Sequence, residues 1–70
     1  MRLAMLRLQV GMAVVVDIAG YSKDGTPLGE VPASGTIVAL GHEGVTVQLD
    51  ATLAGVNVLT VPHDRVLIAQ

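Results

Sequence analysis

With 70 residues and no cysteine, the chain has room for one compact domain whose modest core must hold by packing alone, without disulfides or thiolate metal sites, and cysteine usage gives no clue to redox compartment. Its formal net charge of −2 includes only four cations, Arg2, Arg7, Lys23 and Arg65; the lack of a basic stripe to neutralise phosphates argues against nucleic acid, and no nucleic-acid partner is expected. Hydrophobic residues make up 51% of the chain and charged ones 14%, against about 25% charged in an average domain.

The chain opens on MRLAMLRLQV, which has neither the long apolar stretch nor the cleavage site of a secretory signal, and no later run reaches the ~18–20 apolar residues of a membrane span. A soluble, cytoplasmic protein with no membrane partner is expected. One domain over residues 1–70 is expected as well; Met5 is a second possible start, so residues 1–5 can remain disordered. Leu6, Leu8 and Val10 alternate with Arg7 and Gln9, which favours a short lead-in strand ending at Gly11, although Leu3, Leu6 and Val10 also fit one helical face.

Met12 to Ala19 is rich in β-branched residues, with Val14, Val16 and Ile18 alternating against Ala13, Val15 and Asp17, and reads as a strand. Residues 20–35 carry four glycines and two prolines, which break any periodic element and predict a long loop. Within it, Asp24-Gly25 is a two-residue turn signal, so the loop is expected to be a bent hairpin. Next, Thr36 to Leu40 and Val45 to Asp50 read as antiparallel partners across Gly41-His42-Glu43-Gly44. Ala51 to Gly55 reads as a connection, Val56 to Val61 as a fourth strand, Pro62 to Arg65 as an interruption, and Val66 to Ala69 as a fifth strand. Val14, Val16, Ile18, Val38, Leu40, Val45, Val47, Leu49, Val58 and Val66 form the expected core.

Five strands in this order, with a long first loop, a central meander and a Pro-led single turn, resemble the SH3-like barrel family over residues 10–69. The most specific stretch is Val61-Pro62-His63-Asp64-Arg65-Val66, similar to the turn and following valine that end an SH3 domain. The resemblance implies an all-β fold: a five-stranded SH3-like barrel with a long first loop and a short Pro-led turn before the last strand. The aromatic set with which such domains line a proline groove or cage a methyl-lysine is missing, because Trp and Phe are absent and Tyr21 stands alone. Base stacking fails for the same reason.

Two bacterial branches are closer. The spacing of Gly35-Thr36-Ile37-Val38, Val45-Thr46-Val47 and Asp64-Arg65-Val66 resembles accessory subunits of electron-transport and photosynthetic complexes, which implies an adaptor that carries no cofactor. A weaker resemblance is to the plasmid-borne type II dihydrofolate reductases, tetramers of SH3-like protomers around one pore. Their Val-Gln-Ile-Tyr-Pro strand falls on Val58-Leu59-Thr60-Val61-Pro62, where the Gln, Ile and Tyr are replaced, and their pore lysines fall near Val16 and Asp17. The architecture is implied there, but not the activity.

Groups able to do chemistry are few. His63-Asp64-Arg65 and His42-Glu43 have the residue types of a general acid or a two-histidine metal site, but their separation matches no ligand signature, and exposed turn residues explain them better. In that reading Asp64 caps the turn after Pro62 and Arg65 pairs with a surface carboxylate. Ser22 and Ser34 lie beside no histidine, and Gly20 to Gly29 lacks the Gly-Lys-Ser/Thr ending of a phosphate loop. No catalytic residue, metal ligand or cofactor is assigned.

Two surfaces are left. Tyr21, Lys23, Asp24 and Glu30 gather on the long loop as a candidate partner-binding site. Val15, Ile37, Leu59, Val61 and Leu67 lie opposite the expected core and form a candidate oligomer surface. The expected function is therefore a non-enzymatic protein-interaction or accessory subunit, a homo-oligomer or part of a larger complex, that self-associates through apolar strand faces. The alternative is an oligomeric small-molecule-binding protein or enzyme with a site built between protomers, related to the pore-type reductases.

Overall fold

The computed structural model describes residues 8–29 and 32–69; Glu30 of the candidate loop lies outside them. The chain is all-β. Its strands are β1 (Ala13–Val16), β2 (Ser22–Lys23), β3 (Thr26–Pro27), β4 (Ala33–Gly41), β5 (Gly44–Leu53), β6 (Val56–Val61) and β7 (Val66–Ala69), with one 3-10 turn, His63–Arg65, before the last. Five of them form an antiparallel sheet in the order β6-β5-β4-β1-β7, and β2 and β3 form a separate ribbon. β1 thus lies between β4 and β7, while β4, β5 and β6 make a meander. Among the described residues, no helix is long and apolar enough to cross a membrane.

Short turns tie the meander and the ribbon together. Asp24-Gly25, with φ of 52° and 82°, joins β2 to β3, and Ala54-Gly55, with φ of 50° and 82°, joins β5 to β6. Two successive positive φ values match the right-handed twist of the strands they connect. The expected hairpin at Asp24-Gly25 is therefore present, as is the one between Gly41 and Gly44.

Four element boundaries differ from the expected ones. β4 begins at Ala33, not Thr36, because Ala33 and Ser34 pair with Val16 and Val15 of β1, so the expected loop of residues 20–35 is shorter. Over residues 8–12 there is a turn where a lead-in strand was expected: Met12 N–H donates to Gln9 O at 3.1 Å, and Gly11, at φ 98°, donates to Ile37 O at 2.7 Å. β1 stops at Val16, because the next amide, Asp17, donates to Arg65 O at 2.7 Å in the Pro-led turn. β5 runs on through Ala51 and Thr52 to Leu53, so the expected connection shrinks to two residues.

The core consists of Val14, Val16, Ile18, Leu28, Ile37, Val45, Val47, Leu49 and Val61. Four expected members are missing from it: Val38, Leu40 and Val58 are 41%, 42% and 51% exposed, and Val66 is only partly buried, packed against it. A β-bulge explains Val38. Ile37 opposes Val47 and Ala39 opposes Thr46, so Val38 is an extra residue and the inward alternation of β4 shifts by one there. The inward positions before the bulge are Gly35 and Ile37, not the even-numbered residues. Leu40 regains the inner face opposite Val45, but at the end of the strand, where little covers it.

In β6, Val61 opposes Val45 and Leu59 opposes Val47. Opposed residues share a face, so Leu59 and Val61 point inward and Val58 outward. Of the expected oligomer surface, Ile37 and Val61 are fully buried and Leu59 packs against the core, so these three are not surface residues. Val15 is half-buried, and Leu67, the extra residue of a second bulge between Val66 and Ile68, is exposed.

Two close approaches within the sheet require glycine. A Cβ on Gly35 would lie 2.5 Å from both the Gln48 carbonyl oxygen and a Val47 methyl carbon, and one on Gly44 would strike the Val61 carbonyl. Only glycine allows β5 to draw this near to β4 at Gly35 and to β6 at Gly44.

Candidate interaction site

The densest polar arrangement joins the root of the first loop to the Pro-led turn. One carboxylate oxygen of Asp17 accepts the Ala19 N–H at 2.9 Å, which turns the chain out of β1. The other lies 3.3 Å from Arg65 Nη1, and the same nitrogen donates to Ala19 O at 3.0 Å. The guanidinium sits 5.3 Å from the centre of the Tyr21 ring. Tyr21 in turn donates its N–H to Ile18 O and accepts from Leu28 N–H, both at 3.0 Å. Leu28 is buried in the core, so the ribbon of β2 and β3 is anchored at both ends.

Of the four candidate loop residues, Tyr21 therefore belongs to this anchor, half-buried beneath Arg65, while Lys23 and Asp24 are exposed on the ribbon. The structure does not bring them together into one binding group. Asp17 and Ala19 complete the anchor, and sequence reasoning did not single them out; Asp17 and Arg65 are 48 positions apart. Arg65 does pair with a surface carboxylate, as expected. Asp64 makes no cap hydrogen bond to its turn.

His42 and His63 are both exposed, one in the β4–β5 turn and the other in the 3-10 turn. Among the described residues no three His, Asp or Glu side chains come together. A groove of about 340 Å3 opens between the loop root and the far end of β5. Ile18, Leu28, Pro32, Ala33, Ala51 and Leu53 line it, with Ser34 and Asp50 its polar contributors. Among the described residues no histidine or cation faces it.

The outer face of the sheet is different in character. Register places Ala13, Thr36, Gln48 and Val58 in one row and Ala39, Thr46 and Thr60 in the next, with the bulged Val38 between them. None of the eight is charged. The polar side chains of β6 are already engaged with β5: Thr46 and Thr60 share a hydroxyl hydrogen bond of 2.8 Å, and Thr52 donates to the Asn57 carboxamide oxygen. Glu43 and Asp50 lie beyond the rows.

The chain matches none of the protein-family models, curated proteins or solved structures with which it was compared.

Proposed function

We propose that the chain is a non-enzymatic interaction or accessory subunit that self-associates through the outer face of β4, β5 and β6. The observation that carries this reading is the uncharged double row from Ala13 to Thr60, with Val38 and Val58 about half exposed within it. A face of small and β-branched side chains without charges gains by leaving water and loses no ionic hydration in doing so. It is also complementary to itself, because two copies meet without like-charge repulsion. A homo-oligomer, or a place in a larger complex, in the cytoplasm belongs to the same reading.

The order of elements, with a ribbon-bearing first loop, a meander and a single 3-10 turn before β7, supports an SH3-like barrel as the scaffold. The engagement of Thr60 and Asn57 by neighbouring threonines favours this reading over a pore-type enzyme, which needs free hydrogen-bonding groups on that strand.

Sedimentation equilibrium at tens of micromolar protein tests it. The native chain is expected to run heavier than a monomer, and Val58→Lys, a change on the solvent side of β6, to weaken association at least about tenfold, the equivalent of 1.4 kcal/mol. A strict monomer overturns the proposal.

A further inference from the structure

The two outer strands of the sheet are finished in different ways. β7 is four residues long, is bulged at Leu67, and follows directly on Asp64 and Arg65. Short length, a bulge and adjacent charge are the usual means by which an edge strand is kept from pairing with another chain. β6 is longer and uncharged. Its six residues are Val-Asn-Val-Leu-Thr-Val; they pair regularly with β5 from Val58 to Val61, the ladder being irregular only between the Gln48–Val58 and Leu53–Val56 pairs, and no Asp, Glu, Lys or Arg occurs anywhere between residues 51 and 63. Among the described residues β6 pairs only with β5. Its other edge therefore presents the alternating N–H and C=O groups of an antiparallel strand, next to a half-exposed valine.

We infer that β6 is a docking edge, and that its occupant is β6 of a second copy, antiparallel about a two-fold axis, joining two five-stranded sheets into one. The inference rests on the self-association proposed above and adds to the outer face a second contact between copies, along the edge of β6. The occupant has to be an extended, uncharged strand whose outward side chains tolerate valine, and β6 itself meets all three conditions. A two-fold axis perpendicular to the sheet keeps outer residues opposite outer residues. Val58 then faces either Val58 or Thr60 of the other copy, depending on whether the axis passes beside Val58 or Leu59. Both are neutral, β-branched pairings of the kind that stabilises antiparallel ladders. The uncharged outer rows of the two copies become continuous across the junction.

Charge substitution at Val58 tests the geometry. Val58→Lys and Val58→Glu each place like charges across the axis and are expected to be monomeric where the native chain associates. Mixed in equal amounts, the two variants are expected to recover association to within about tenfold of native strength, read by sedimentation. Residue-resolved amide hydrogen exchange of the native chain gives a second readout. Those β6 amides not bonded to β5 are expected to slow at least tenfold as concentration rises through the association range, while the amides of β7 do not change. If the native chain associates but the mixture stays monomeric, or the β6 amides exchange at one rate throughout, the edge pairing is overturned and self-association stands. A native monomer at all concentrations overturns both.

Discussion

The Arg65 guanidinium lies 5.3 Å from the centre of the Tyr21 ring while one of its nitrogens reaches Asp17 and Ala19 O. A single side chain of the Pro-led turn thus holds the chain where it leaves β1 and where it enters the β2–β3 ribbon. Arg65→Ala removes a cation–π contact, about 0.5–1 kcal/mol, and a half-exposed ion pair, about 0.2–1 kcal/mol. A loss of about 1–2 kcal/mol in denaturant unfolding is expected, with faster amide exchange from Ser22 to Pro27. Arg65→Lys retains the charge but not the planar group that bonds and stacks at once, so it should recover only part of the loss. Unchanged exchange in the ribbon would show that Arg65 does not anchor it.

Neighbouring residues of β4 should respond very differently to the same change. Ile37 is fully buried and Val38 stands outside on the bulge. Ile37→Ala is expected to cost about 2–5 kcal/mol, the usual penalty for emptying a core site, and Val38→Ala less than about 0.5 kcal/mol at concentrations where the chain is monomeric. Chemical denaturation of both variants checks the shift in alternation, since without the bulge the order would be reversed.

Gly35 is a third point of test. A methyl group there would press on the Gln48 carbonyl and a Val47 methyl, and neither can retreat without opening the β4–β5 ladder. Gly35→Ala should lower stability by more than about 2 kcal/mol; a midpoint within error of the native one would mean that the strands separate easily.

Ala54 offers a change in the stabilising direction. It is an alanine at φ 50° in a two-residue turn, where the left-handed conformation costs most side chains about 1–2 kcal/mol. Ala54→Asn, the preferred residue before glycine in such turns, is expected to raise stability by up to about 1 kcal/mol, visible as a higher thermal midpoint. Gly55, at φ 82°, should not tolerate a β-branched residue.

The parts of the fold that were legible are those where the signal is local. Val45, Val47 and Leu49 alternate cleanly against Thr46, Gln48 and Asp50, and they are buried on that pattern because β5 lies in the middle of the meander. Asp24-Gly25 announces its turn in two residues. The alternation of Thr36 to Leu40 misleads because an apolar residue occupies both phases: Ile37 and Val38 are equally plausible inside, and a bulge leaves no mark in the composition of a strand. For β6 the ambiguity is the same, with Val58, Leu59 and Val61 available to either face. The candidate site suffered most from this, since Ile37, Leu59 and Val61 were assigned outward and lie inward, and Val38 and Val58 took their place.

The amino-acid sequence by itself determined an all-β chain with these turns, poor in aromatic, basic and nucleophilic groups, because propensity, glycine placement and composition are properties of short stretches or of the whole. Tertiary structure alone decided which valines form the core, that Arg65 meets Asp17 and Tyr21 across more than forty residues, and that β6 and β7 become the edges of the sheet. Those outcomes depend on register between distant strands, and register is set when Gly35 lets β4 close on β5 and Val61 comes to rest against Val45.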